Sequence, residues 1–95
     1  MTVFIVTEVH IHDLSAMRAY LAAVRPLMAR HGGEFLATSA SGSEVIEGDP
    51  HRGIVSVQRW PDRAAFHAFW QSPEYAPLRE QRHAAADSTI VALTG

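Results

Sequence analysis

Two histidines near the start of the chain lie two positions apart, a spacing that would let them share a metal ion. His10 and His12 fall in a segment with the alternating pattern of a strand, where every second side chain points to the same side. Zinc sites built on such a pair need further ligands, and Glu8 is the only local candidate. A solvated pair of histidines beside an Asp13 helix cap is the simpler interpretation. We therefore predict no metal site.

Glu47 and Arg82 form the second combination with chemical potential. A carboxylate paired with a guanidinium can orient a polar substrate or tune a general base. Arg79 is an alternative partner for Glu47, and a purely structural ion pair is the competing interpretation. Tyr75 shares a predicted helix face with both arginines, where its hydroxyl could bind a ligand or simply reach the surface while its ring packs.

Ser72 and the large aromatic side chains have simpler structural explanations. Ser72 precedes a proline at a helix start and lacks the context of a nucleophile, so we interpret it as an N-cap. The aromatic residues are expected to form core or dimer contacts, with ligand stacking by one of them as the alternative. They are Trp60, Phe66, Phe69 and Trp70.

Composition narrows the class of protein. The chain has 95 residues, eight arginines, no lysine and a net charge of −2, with no basic run, which argues against nucleic acid as a partner. The absence of cysteine excludes disulfides and thiolate chemistry. No segment has the length of a membrane span and no leader pattern is present, so we expect a cytoplasmic protein. A chain this short buries a thin core, which favours oligomerisation.

The first half of the chain predicts a strand, a helix and a strand. Residues 3–12 alternate, and both faces of that strand begin apolar before one turns polar. Asp13 caps a helix of about 18 residues that we expect to kink at Pro26 and to end at Gly32 and Gly33. Residues 34–40 form the second strand, with a short extension expected at 44–47.

The second half predicts a strand, two helical segments and a last strand. The third strand covers residues 53–60, and Asp62 caps a helix over 63–71. A further helix begins at Pro73 and restarts at Ala76 because of Pro77. Residues 88–94 form the last strand. The order β-α-β-β-α-β, with an extra helical turn, is that of a ferredoxin-like α+β domain spanning residues 1–95.

Several short motifs in this order resemble those of one family. They are HGGEFL at 31–36, VIEGD at 45–49, the Trp60-Pro61 step, SPEY at 72–75, Arg82 and Gly95. Together they resemble the DUF1330 family of the dimeric α+β barrel superfamily. The resemblance implies a four-stranded antiparallel sheet that pairs face to face with a second subunit. It implies no single activity, because relatives in the superfamily include cofactor-independent monooxygenases and isomerases.

These observations predict a homodimer with a pocket between sheet and helices that binds a small organic molecule, an anion included. The predicted pocket residues are Glu8, His10, Trp60, Tyr75 and Arg82. One alternative is an enzyme without cofactor, a monooxygenase or isomerase, in which His10 or Glu47 abstracts a proton and Arg82 holds the oxyanion. The other is a structural or regulatory dimer without a ligand. We predict no cofactor in any of these cases.

Overall fold

The computed structural model describes residues 1–51 and 53–95 and shows one four-stranded antiparallel sheet covered on one side by helices. The strand order is β2-β3-β1-β4, so β1 and β3 are the central strands. This arrangement confirms the predicted ferredoxin-like α+β fold. The elements are β1 (Val3–Ile11), α1 (Leu14–Arg30), β2 (Glu34–Thr38), a 3-10 turn (Ser39–Ser41), β3 (Ile54–Trp60), α2 (Arg63–Trp70), α3 (Tyr75–Ala85) and β4 (Ala86–Thr94).

Two aspartates start the first two helices as predicted. The Asp13 carboxylate accepts a hydrogen bond from the Ala16 amide at 3.0 Å, and the Asp62 carboxylate accepts one from the Ala65 amide at 2.7 Å. Each therefore satisfies an amide that has no partner within its helix. Helix α1 continues through Pro26 and ends where Gly32 adopts a φ of 85°, a conformation that glycine reaches without steric cost.

Helix α3 begins differently from the prediction. It starts at Tyr75, two residues after the proline that the sequence pattern placed at its first position. Ser72 instead closes the turn between α2 and α3: its hydroxyl donates to the Phe69 carbonyl at 2.8 Å and accepts from the Tyr75 amide at 3.2 Å. Ser72 therefore links the end of α2 to the start of α3, where the sequence pattern predicted an N-cap.

Strand β2 is shorter than predicted and contains an irregularity. It ends at Thr38 and passes into the 3-10 turn, and residues 44–47 form no strand extension. The register with β3 shifts between Phe35 and Ala37, which marks a β-bulge. As a result Phe35 pairs with Gln58 and Thr38 with Ser56. Phe35 and Thr38 therefore point to the same face of the sheet, although one has an odd and the other an even number.

The two faces of the sheet have different surroundings. On the helix-covered face, Val3 and Ile5 are fully buried, and Thr7 is buried beside them. The opposite face, which we call the open face, carries Phe4, Val6, Glu8 and His10 of β1 without any helix above it. Two apolar side chains of β4 on the open face, Val91 and Leu93, are 45% and 50% exposed.

The core lies between the helix-covered face and the three helices. Trp60 is its largest member, is fully buried, and contacts Phe66 and Phe69 with ring centroids 5.2 and 4.9 Å away. Gly33 is essential to this packing, because a Cβ atom there would lie 2.5 Å from the Trp60 ring. The glycine stop of α1 and the tryptophan of β3 therefore fit together at one end of the core.

Candidate functional site

A cavity of about 190 Å³ lies between the helix-covered face and helices α1, α2 and α3. Its walls are mainly aliphatic and aromatic, with Ile5, Val9 and Ile90 contributed by the sheet and Phe66 and Trp70 by α2. Residues of all four strands reach it, so it extends across the whole width of the sheet. An apolar cavity of this kind is typical of sites that bind small organic molecules.

Arg82 is the charged side chain buried in this cavity. It is only 5% exposed, although it belongs to a residue type that is rarely buried without a partner. Within the described part of the chain, no carboxylate forms an ion pair with it. Its Nε donates to the Tyr75 hydroxyl at 3.4 Å, and its guanidinium carbon lies 5.8 Å from the centre of the Trp70 ring.

Two tyrosines extend this polar group. The hydroxyls of Tyr20 and Tyr75 share a hydrogen bond of 2.9 Å, and both side chains are buried and line the cavity. Burial raises the pKa of the Tyr20 phenol far above its usual value, and the neighbouring Tyr75 adds to that shift. The Tyr20 phenol is therefore neutral at physiological pH.

The sheet contributes a second set of polar groups to the cavity floor. Thr7 of β1 and Ser56 of β3 are register partners whose hydroxyl oxygens lie 2.5 Å apart. Ser88 of β4 also lines the cavity, and its hydroxyl is buried with no hydrogen-bond partner among the described residues. Gln58 completes the set, with its side-chain carbonyl accepting from the Trp60 indole at 2.9 Å.

Arg25 stands where the cavity approaches the β2 edge. Its side chain is exposed, and its guanidinium carbon lies 5.4 Å from the centre of the Phe35 ring. With Met28, these two residues line both the cavity and an adjoining surface depression next to Gly33. They therefore separate the cavity from the surface at this edge.

The structure brings together only part of the predicted pocket. Tyr75 and Arg82 line the cavity, whereas Trp60 packs in the core beside it, against the lining residues Gln58, Phe66 and Phe69. Glu8 and His10 are exposed on the open face, because residues 5, 7, 9 and 11 of β1 occupy the cavity side. The five predicted side chains therefore do not line one cavity in this structure. Only Tyr75 and Arg82 do.

The predicted pairing of Glu47 with an arginine is also corrected. Glu47 is exposed in the loop after the 3-10 turn, while Arg82 is buried, and no described ion pair joins them. Arg79, the alternative partner, instead donates to the Trp70 carbonyl and lies 4.6 Å from the centre of that ring. Neither arginine of α3 is thus neutralised by the loop.

His10 and His12 lie near each other outside the cavity. Their ring centroids are 5.9 Å apart, and Nε2 of His12 lies 3.2 Å from the Asp87 carboxylate. Glu8, the suggested third ligand, accepts from the Gly53 amide at 3.3 Å. Across residues 1–51 and 53–95, no group of three or more potential ligands is placed to hold a metal ion.

Several cavity residues have no sequence signal that predicts their place in the site. Tyr20 falls between Met17 and Val24 on the apolar face of α1, so its spacing marks it as buried but does not reveal its partner. The floor hydroxyls of Thr7, Ser56 and Ser88 carry no motif. A polar residue at an otherwise apolar inward position of a strand is the only local signal that they offer.

Comparisons with solved structures place this fold among known proteins. A protein of unknown function from Rhodopseudomonas palustris is 22% identical, with a TM-score of 0.83 over 99% of this chain and 82% of that one. SnoaB, a cofactor-independent oxygenase from Streptomyces nogalater, is 21% identical, with a TM-score of 0.72 over 99% and 92%. A dimeric ferredoxin-like protein of unknown function from Jannaschia sp. CCS1 is 11% identical, with a TM-score of 0.74 over the full length of both chains.

At these identities the likeness shows the fold alone. A comparison with functionally curated proteins returns no match. None of the helices in the described residues is long and apolar enough to span a bilayer. The family model described as a domain of unknown function, DUF1330, matches residues 2–95, and the chain therefore belongs to the DUF1330 family.

Proposed function

We propose that this protein binds a small organic anion in the cavity between sheet and helices, with Arg82 as the counter-charge. The observation that carries the proposal is a guanidinium that is 5% exposed, lines an apolar cavity and has no carboxylate partner among the described residues. Burying a charge is costly unless an opposite charge or hydrogen bonds compensate it. A bound anion would supply that compensation.

The orientation of Arg82 supports the same function. Nε of the Arg82 guanidinium donates to the Tyr75 hydroxyl, and the guanidinium also interacts with the Tyr20 phenol. A guanidinium presents a planar fork of donors, the geometry that binds a carboxylate through two parallel hydrogen bonds. The Tyr20 phenol, bonded to the Tyr75 hydroxyl, helps to hold this acceptor in place.

The size and walls of the cavity limit the body of the ligand. An apolar cavity of roughly 150 Å³ in another protein admits benzene, and the cavity here has about 190 Å³. A single ring with one or two small substituents therefore fits. The Phe66, Phe69 and Trp70 rings along the wall favour a flat apolar body through offset and edge contacts.

Binding is better supported than the enzymatic alternative. A cofactor-independent oxygenase or isomerase of the predicted type needs a base at the substrate, and the groups suggested for that role, His10 and Glu47, lie outside the cavity. Among the described lining residues there is no carboxylate or imidazole. The raised pKa of Tyr20 also makes its phenol a poor base near neutral pH.

Calorimetry and thermal unfolding with benzoate and its uncharged analogue benzamide test the function. Benzoate should bind and raise the melting temperature of the protein, because it binds only the folded state, while benzamide should have little effect. Arg82→Met should abolish the benzoate response. Arg18→Met, which removes an exposed arginine of α1 away from the cavity, should retain it.

Two outcomes would contradict the proposal. Equal responses to benzoate and benzamide would show that charge does not matter, and undiminished binding by Arg82→Met would place the anion elsewhere. Silence across a wide panel of small carboxylates, together with a stable dimer, would favour the structural or regulatory alternative.

A second copy of the chain is the partner that we propose for the open face. An apolar row crosses this face, because Val6 pairs with Val57 on one side and with Val91 on the other. Phe4 and Leu93 extend the row. Apolar patches of this kind mark interaction surfaces, and structural neighbours of this chain are described as dimeric ferredoxin-like proteins. Sedimentation equilibrium tests the expected homodimer.

A further inference from the structure

The cavity floor carries hydroxyl groups on three adjacent strands, Ser56 on β3, Thr7 on β1 and Ser88 on β4. Thr7 lies directly opposite Ser56, and Ser88 lies opposite Val9, two positions along β1. Thr7 and Ser88 are therefore diagonal neighbours on one face of the sheet. Diagonal neighbours generally lie about 7–8 Å apart, so one ligand oxygen between them can contact both hydroxyls. We call Ser56, Thr7 and Ser88 the hydroxyl row.

The hydroxyl row has unused hydrogen-bonding capacity. When one hydroxyl of the Thr7–Ser56 pair donates to the other, the accepting hydroxyl keeps its own proton for a further partner. The Ser88 hydroxyl is buried without any partner in the described structure. Buried polar groups are normally satisfied by protein, water or ligand. Two O–H donors are thus available at the floor of an otherwise apolar cavity.

We infer that the ligand is an organic acid whose body carries a second polar group, a hydroxyl or a carbonyl, that accepts a hydrogen bond from the hydroxyl row. This inference rests on the proposed anion-binding function. The acid group pairs with the Arg82 fork, the apolar body lies along the aromatic wall, and the second oxygen lies over Ser88 and Thr7. A compound with a methyl group in place of that oxygen fills the same space but leaves the donors unpaired.

Isosteric probes separate this inference from simple anion binding. We would measure by calorimetry the dissociation constants of benzoate and of the 3- and 4-substituted hydroxybenzoates and methylbenzoates. At least one hydroxybenzoate should bind about tenfold more tightly than its methyl counterpart, because a site built to bond a hydroxyl rejects an analogue that lacks it. The comparison uses the wild-type protein, so it does not depend on the folding of any variant.

Substitutions then test whether the hydroxyl row causes the preference for the hydroxybenzoate over its methyl counterpart. Ser88→Ala should bring the ratio of the two dissociation constants close to one. Thr89→Ala, one position along β4 and exposed, is the matched control and should keep the preference. Thr7→Val should reduce the preference as well, since it removes the paired hydroxyl that lies beside the second oxygen.

The possible failures are distinguishable. If all probes bind through Arg82 but hydroxy and methyl compounds bind equally, the hydroxyl row does not select the ligand and the inference is overturned, while anion binding stands. If the preference persists in both Ser88→Ala and Thr7→Val, another group binds the second oxygen and the inference is again overturned. If no carboxylate binds at all, both this inference and the proposed function fail.

Discussion

The phenolic oxygens of Tyr20 and Tyr75 lie 2.9 Å apart although the two residues are separated by 55 positions in the chain. One tyrosine comes from the middle of α1 and the other from the first position of α3. Their hydrogen bond joins these two helices above the cavity and continues to the Arg82 guanidinium. The same contact thus contributes to the packing of the fold and to the geometry of the site.

The Tyr20 phenol should make stability dependent on pH in the alkaline range. Its pKa is raised in the folded state, chiefly by burial, so the folded protein holds this proton more tightly than the unfolded chain. Its contribution is fully present below the unfolded pKa of about 10, and above it the free energy of unfolding falls by up to about 1.4 kcal/mol per pH unit. Denaturant unfolding from neutral to alkaline pH measures this slope.

Tyr20→Phe is the matched variant for that titration. It should cost about 1 kcal/mol at neutral pH through the lost hydrogen bond, and it should lose the alkaline slope due to this phenol. The sequence suits the experiment, because it contains no lysine, no cysteine and only two tyrosines. An identical alkaline slope in wild type and variant would contradict the assignment.

Arg82→Met should stabilise the protein without ligand. The substitution replaces a buried guanidinium, which has no carboxylate partner among the described residues, by an apolar side chain. Replacements of buried ion pairs by apolar residues have gained about 1–4 kcal/mol. We expect an increase near the low end, about 1 kcal/mol, because a hydrogen bond to Tyr75 is lost. Urea unfolding of both proteins in ligand-free buffer measures the difference.

Arg79→Met is the control for that comparison. Arg79 lies one turn earlier on α3, but it donates to the Trp70 carbonyl and packs over the Trp70 and Tyr75 rings. Its removal should lower stability. A loss of stability in Arg82→Met of the same size would show that the guanidinium is held for structural reasons and not kept for a ligand.

Arg25→Gln should slow the entry of anionic ligands. The guanidinium stands exposed beside Phe35 where the cavity nears the β2 edge, so it adds positive potential along the approach. We expect the association rate of benzoate to fall about two- to fivefold at low salt, with the dissociation rate little changed. Stopped-flow Trp fluorescence can report binding, since Trp70 lines the cavity.

Two variants check this electrostatic effect. Arg25→Lys keeps the charge and should restore the association rate. Arg30→Gln removes an exposed arginine of α1 that does not line the cavity and should leave the rate unchanged. An effect of Arg25→Gln that persists undiminished at high salt would contradict electrostatic steering.

Val91→Glu should dissociate the proposed homodimer. Val91 is 45% exposed beside the apolar row on the open face, and burying a carboxylate against apolar side chains is costly. The variant should sediment as a monomer at concentrations where wild type is dimeric. Ala19→Glu, on the exposed side of α1, adds the same charge and should not alter assembly. A monomeric wild type would exclude the homodimer.

Gly33→Ala should destabilise the fold by about 1–3 kcal/mol through overpacking. The added methyl would lie 2.5 Å from the Trp60 ring, and the backbone of Gly33 is not in the left-handed region, so the effect is steric. Unfolding of a double-mutant cycle with Trp60→Phe isolates the contact. The cost of Gly33→Ala should shrink in the Trp60→Phe background, and equal costs in both backgrounds would contradict the contact.

Much of the fold was predictable because its signals are local. Asp13 and Asp62 mark helix starts, and the glycines at 32 and 33 mark the end of α1. Alternation and helical spacing then predict the order of elements, and that order is confirmed. The end of β2 was predicted wrongly, because its bulge depends on how β2 aligns with β3 and not on its own residues.

The local sequence pattern did not predict which face of β1 the helices cover. Both sides of the strand begin with apolar residues, Val3 and Ile5 on one and Phe4 and Val6 on the other, so the pattern did not show which side the helices cover. Docking of α1 and α3 buries the odd-numbered side and leaves Glu8 and His10 on the open face. Of the predicted pocket residues, only Tyr75 and Arg82 of α3 therefore line the cavity.

The sequence by itself determined the elements, their order and the family, because caps, periodicity and short motifs act within a few residues of each other. The tertiary structure alone decided the site. Arg82 is buried, Tyr20 meets Tyr75, and Ser88 joins Thr7 and Ser56 on one face only after helices and strands distant in sequence have packed. Burial and hydrogen-bond partners are properties of that packing, and they bring ordinary polar residues together in one apolar cavity.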